Sequence, residues 1–251
     1  MKRLRLDVLL VQRGFAESRE KAQRLILAGE ILVDDAPAAK PGHDYPPDCA
    51  IRVRKPERFV GRGGLKLEEA FLRFPTLDAS GKICVDIGAS TGGFTDCLLQ
   101  RGAQKVFAVD VGRSQLHPRL AADPRVVVLD SCNARHLQPG DLPETPDLAV
   151  TDVSFISLRL ILPAIDRLLR PGGETVALIK PQFEAGREEV GKGGVVRDPA
   201  IRQQVVDRIR GFGVQTLGWR WLDSCPSPIQ GPAGNVEFLS YWRKPPPSDS
   251  P

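Results

Sequence analysis

"CVDIGASTGGFTDCLLQRG", residues 84–102, decides how the rest of the chain is read. An apolar run reaches Asp86, a glycine-rich turn follows, and a segment with apolar residues at helical spacing runs to Gly102. Strand, tight turn and helix in that order form the ligand-contacting unit of an open α/β sheet, where ligands sit at the carboxyl ends of the strands. Around it, "ICVDIG", "KVFAVDV", "RVVVLD", "LAVTDV" and "TVALIK" are strand-like runs that alternate with helical ones. Several are apolar throughout, as strands buried on both faces must be. The alternation predicts a doubly wound, Rossmann-like α/β domain.

The turn itself narrows the ligand. Gly88 permits a tight bend, and Gly92 with Gly93 lets a ligand or helix approach the backbone. A dinucleotide fingerprint needs G-x-G-x-x-G; here the spacing is G-x-x-x-G-G, with Ala89 and Ser90 where a glycine is wanted, which weakens a nicotinamide cofactor. Asp86 suits the positively charged amino-acid end of S-adenosylmethionine better than a pyrophosphate. Asp110 ends the next strand, placed for both ribose hydroxyls, and Asp130 closes "RVVVLD", placed for the adenine side. The expected cofactor contacts are therefore Asp86, Gly88, Ala89, Ser90, Gly92, Gly93, Phe94, Asp110 and Asp130.

Composition bounds the rest. The 251 residues allow one large domain plus an appendage, and 41% hydrophobic with 26% charged residues is globular. No stretch reaches the roughly 18 apolar residues of a membrane span. Asp7 and Gln12 interrupt the apolar segment of "MKRLRLDVLLVQRG", so no secretory signal is expected. Five cysteines without a CxxC pair and three scattered histidines predict a reduced, cytoplasmic protein with no metal site. The first 66 residues hold fourteen Lys/Arg against nine Asp/Glu, whereas the remainder is close to balanced. A basic front on a near-neutral body suggests a polyanion-binding module.

Within that front, "RLDVLLVQRG" and "ESREKAQRLILAGE" are helical, the second capped by Ser18, and "ILVDD" and "AIRVRK" are short strands. Arg5, Arg19, Lys21 and Arg24 lie on or beside the polar helix faces. The order RLDxxL…SRxxA…I..G.I.V resembles the RNA-binding domain of ribosomal protein S-four, which implies docking on structured RNA by shape and phosphate contacts. The expected organisation is an α+β RNA-binding domain over 1–57, a linker at 58–61, an α/β domain over 62–244 and a disordered tail over 245–251.

A lysine at the lip of a buried strand calls for chemistry. Lys180 ends "TVALIK" and Asp152 ends "LAVTDV", so both are expected in the cofactor crevice; Lys66 sits ahead of the sheet and Glu237 starts the last strand. A Lys-Asp-Lys-Glu set in this order resembles that of FtsJ-like ribose 2′-O-methyltransferases. "FVGRGGLKL", "DIGASTGGFT", "DVSFISL", "KPQFE", "GKGGVVRDP" and "GPAGNVEF" together resemble the TlyA family, which joins an S-four-type domain to such a methyltransferase. The resemblance implies methylation of a cytidine ribose in ribosomal RNA, with ribosomal subunits as partners. It puts Lys66, Asp152, Lys180 and Glu237 on the catalytic set and Arg5, Arg19, Lys40 and Arg62 on RNA-contacting positions. Lys180 would accept the ribose proton or stabilise the alkoxide as a cation. "EEVGKGGVVRDP" is expected to close over RNA or cofactor. The alternatives are a non-catalytic ribosome-assembly factor and a membrane-active haemolysin, the latter disfavoured by the absence of a long amphipathic basic helix. A pseudouridine synthase would not need the cofactor turn.

Overall fold

The computed structural model describes residues 3–38, 40–54 and 58–246, and the chain divides into two compact units, Met1–Arg58 and Phe59–Pro251. In the first, β1 (Leu4–Arg5) leads into α1 (Leu6–Gln12), and α2 (Arg19–Leu27) follows. Ser18 Oγ accepts from Lys21 N at 3.2 Å, the cap its position predicted. β2 (Ile31–Val33) pairs antiparallel with β3 (Ala36–Pro37) and with β5 (Ile51–Val53), while β4 (Asp44–Tyr45) pairs with β1. Leu6, Leu9 and Leu10 pack on Ala22, Ile26 and Ile31 to form its core. The two-residue strands β1, β3 and β4 are too short to carry an alternation signal, so the sequence does not announce them.

The second unit opens with α3 (Gly63–Arg73), then alternates β6 (Ile83–Ile87), α4 (Gly93–Gln100), β7 (Lys105–Val109), α5 (Pro118–Ala121) and β8 (Val126–Leu129). β9 (Leu148–Thr151), α6 (Leu158–Leu168), β10 (Glu174–Ile179), α7 (Pro181–Glu184), α8 (Pro199–Leu217), β11 (Arg220–Pro226) and β12 (Phe238–Arg243) complete it. The seven strands form one sheet ordered β11-β12-β10-β9-β6-β7-β8, all running one way except β12, which is antiparallel to both its neighbours. The chain winds outward from β6 to β8, then returns to place β9 on the other side of β6. That reversal creates a crevice at the carboxyl ends of β6 and β9.

Helices cover both faces. Leu67 and Phe71 of α3 and Cys97 and Leu98 of α4 pack on one; Ile161 and Ile165 of α6 and Val205 and Ile209 of α8 pack on the other. Two boundaries differ from expectation. Phe59, assigned to the linker, is 4% exposed within the α3–α4 core, and Val60 N donates to Asp96 Oδ2 at 2.9 Å, so this packed unit begins at 59. Pro245 O accepts from Gly172 N at 3.3 Å, whereas residues 247–251 of the expected tail lie outside the described residues.

Candidate active site

Side-chain parity brings the candidate residues to one place. Val176 and Leu178 of β10 face the α3–α4 layer, so Lys180, two residues on, leaves the strand on that side. Leu148 and Val150 of β9 send Asp152 the same way, and Leu239 and Tyr241 of β12 do so for Glu237. Lys66 comes from α3, which lies on that face. α3 can deliver it because its start presses against α4: a Cβ on Gly93 would stand 2.7 Å from Gly64 N, so glycine is required.

The outcome is a line of alternating charge. Lys180 Nζ lies 2.6 Å from Asp152 Oδ1, and Lys66 Nζ lies 3.2 Å from Asp152 Oδ2 and 2.8 Å from Glu237 Oε2. Two residues that sequence reasoning misses extend it. Lys180 Nζ donates to Ser154 Oγ at 2.8 Å, and Gln182 Nε2 donates to Glu237 Oε1 at 3.2 Å. Both lie inside quoted motifs, but an uncharged side chain next to a charged one gives no pattern to read.

The crevice has two lobes. One, of about 480 Å³, is lined by Ile87, Val109, Val111, Ile156 and Ile161 together with Asp110 and Asn133. The other, of about 340 Å³, is lined by Lys66, Lys180 and Glu237 together with Arg62, Phe94 and Gly231. Gly88, Ser90, Asp152 and Ser154 line both and form the shared wall.

Known proteins share this sequence and fold. The FtsJ-like methyltransferase model matches residues 59–244, and the S4 domain model matches residues 4–48. A Mycobacterium tuberculosis protein named 16S/23S rRNA (cytidine-2'-O)-methyltransferase TlyA is 45% identical over 244 residues, spanning 96% of this chain and 90% of its own. The chain belongs to the TlyA family of FtsJ-like methyltransferases. A Bacillus subtilis relative, provisionally named rRNA methyltransferase YqxC, is 50% identical over 246 residues, 97% of this chain and 87% of its own. A solved structure from Streptococcus thermophilus, provisionally named a hemolysin, covers 100% of this chain and 90% of that one, with a TM-score of 0.74 at 44% identity. Among the described residues no helix is long and apolar enough to cross a membrane.

In this TlyA-family chain the expected cofactor residues separate. Gly88 and Ser90 line both lobes, Asp110 the first, and Ala89, Gly93 and Phe94 the second. Gly92 lines neither; a Cβ there would meet Leu120 at 2.3 Å, so it serves helix packing. Asp130 also lines neither, because its Oδ2 accepts from Ser114 N at 2.7 Å, and Cys132, Asn133 and Ala134 take the wall expected of it. Asp86 is fully buried beneath the turn, where Thr95 Oγ1 donates to its Oδ2 at 2.7 Å and Oδ1 has no partner. Burial without a cation pushes its carboxyl up to about 7. Asp110 braces the turn, accepting from Ser90 N at 2.8 Å and Gly112 N at 2.7 Å.

The expected RNA-contacting residues separate too. Lys21, Arg24 and Lys40 are exposed in the first unit, and Arg62 lines the second lobe in the other. Arg5 and Arg19 are only half free. The buried Asp7 carboxylate takes Arg5 through Nε at 3.0 Å and Nη2 at 2.9 Å, Arg19 Nη2 at 3.1 Å and Gln23 Nε2 at 2.9 Å. The Arg5 guanidinium, with Gln23 and Arg19, holds Asp7 well below the usual carboxylate range against the opposing effect of burial. The "EEVGKGGVVRDP" segment, expected to close over the site, lines neither lobe. Asn235 pins it, accepting from Val196 N at 3.0 Å and donating to Gly194 O at 2.8 Å.

Proposed function

We propose that this chain methylates the 2′-hydroxyl of a cytidine ribose in ribosomal RNA, with S-adenosylmethionine as donor. The observation that carries it is the Lys180–Asp152–Lys66–Glu237 line, which opens into one lobe beside the wall shared with the other. The substrate comes from the relatives, one of which is named for cytidine 2′-O-methylation of 16S and 23S rRNA.

When bound, S-adenosylmethionine supplies a methyl group on a positively charged sulfur. The first lobe fits it: five aliphatic side chains suit an adenine, and the Asp110 carboxylate keeps lone pairs for ribose hydroxyls. Gly88 fits as well, since a Cβ there would stand 3.0 Å from Asp152 O and fill the cradle. A ribose hydroxyl in the second lobe is a poor nucleophile and must lose its proton as it attacks. Lys180 Nζ takes that proton. Deprotonating it costs Asp152 one of two cations, and Lys66 still serves that carboxylate; deprotonating Lys66 would take from Glu237 the cation it pairs with. Two lysines and two carboxylates cancel, which limits the cost of burying them. The residues up to 58 act as the RNA-binding unit, meeting folded RNA with exposed cations, and 59–244 form the catalytic domain.

The test is incubation with radiolabelled S-adenosylmethionine and unmodified ribosomal subunits, each separately, beside Lys180→Ala. Label resisting alkaline cleavage at one nucleotide is expected, falling by about a hundredfold or more in the variant. Cofactor binding by calorimetry without label in either subunit would sink the enzyme and leave a non-catalytic assembly factor.

A further inference from the structure

Asp152 is shared. Its Oδ2 serves Lys66, so only Oδ1 is left for Lys180, and a single contact leaves an amine free to rotate about its terminal bond. Lys66 avoids this with two carboxylates. Lys180 has Ser154 instead, whose Oγ accepts from Nζ at 2.8 Å. We propose that Ser154 is the positioning residue of the reaction: the Asp152 contact is an ion pair outside hydrogen-bond geometry, so the hydrogen bond to Ser154 Oγ fixes the direction of Lys180 Nζ and aims it at the ribose hydroxyl.

Three observations support it, and all rest on the methyltransferase function proposed above. Ser154 lines both lobes, so its hydroxyl lies where cofactor and ribose would meet. The next residue, Phe155, has φ +63°, a conformation that costs a non-glycine residue energy and persists only where surroundings impose it. The surroundings do so: Glu184, four residues past Lys180, accepts from Ser157 Oγ at 2.6 Å and Leu158 N at 2.7 Å. The segment carrying Lys180 thus holds the loop carrying Ser154 at its far end. The choice of a hydroxyl also has a consequence. A neutral hydroxyl aims the amine without adding a further charge to a pocket whose two lysines and two carboxylates already cancel.

The experiment compares the full-length wild type with Ser154→Ala, Ser154→Thr and Lys180→Ala, using the subunit that the wild type methylates. Ser154→Ala is expected to lower kcat by about tenfold to a hundredfold, with both KM values nearly unchanged. Ser154→Thr should restore most of it, and the pH dependence of kcat should move in Ser154→Ala alone. In the ligand-free protein, NMR of the Lys180 ammonium should show faster hydrogen exchange in Ser154→Ala than in wild type, at equal melting temperature. Wild-type kcat in Ser154→Ala overturns the inference. So does a threonine variant no better than alanine, or a loss confined to KM and melting temperature with the pH profile intact. If the wild type methylates neither subunit, the function itself is wrong and takes this inference with it.

Discussion

Asp86 and Asp7 are both fully buried carboxylates, and their surroundings drive them in opposite directions. Asp86 has a threonine and no cation, so its folded value rises from 3.8 to about 7. Between those values the unfolded chain has released the proton that the folded chain keeps, so stability falls as pH rises through that window. The thermal midpoint of the second unit should therefore drop between about pH 4 and about pH 7, and Asp86→Asn should flatten the drop. An unchanged slope in differential scanning calorimetry would contradict this. Asp7 is held low by Arg5, Gln23 and Arg19, so its contribution is present above the ordinary value of 3.8 and lost as pH falls below it. The first unit should lose structure on acidification before the second, and Asp7→Asn should remove much of that difference, as followed by amide signals of the α1–α2 pair. Both aspartates are plain in the sequence. Their environments are not, because Gln23 and Thr95 reach them only after helices have packed.

At the scale of elements, caps and strands are legible where a repeated pattern announces them. Ser18 before a helix and the apolar runs of β6, β7, β9 and β10 are strong local signals. β11 escapes such a reading because "RWLDSCP" mixes charged and apolar residues without clean alternation, and its register slips between Trp221 and Asp223. The glycine-rich segment after α7 differs in what holds it. Its place after the Lys180 strand suggests a closing loop, and Asn235, some forty residues on, supplies two hydrogen bonds that pin it. Asn235 is 2% exposed, so Asn235→Ala should cost about 1–3 kcal/mol in urea unfolding and raise the protease sensitivity of residues 186–197. Resistance equal to wild type would show that the segment is held by something else.

Across the whole molecule, charge and topology divide the work. The excess of basic residues lies in the first 66 positions, and Lys21, Arg24 and Lys40 stand exposed there, whereas Asp7 offsets part of Arg5 and Arg19. Replacing Lys21 or Arg24 by alanine should weaken binding to ribosomal RNA and reduce the slope of log K against log salt by about one for each phosphate no longer neutralised. Filter binding over a salt series reads this directly, and an unchanged slope would take that residue out of the interface. The catalytic candidates show the other side of the division. Lys180 and Asp152 are legible because strands buried on both faces end at polar residues, and their parity follows from the period of two. Lys66 and Glu237 need the family resemblance, since nothing local separates them from ordinary surface charges. The sequence by itself determined the strand–turn–helix order, the glycine turn, the basic front and the places of Lys180 and Asp152, because these depend on spacing along the chain. Only the tertiary structure decided that one carboxylate is shared between two lysines, that Ser154 and Gln182 join them, and that Asp86, Gly92 and Asp130 stand off the crevice walls. Those facts depend on distances between segments far apart in the chain, and it is packing that brings such segments together.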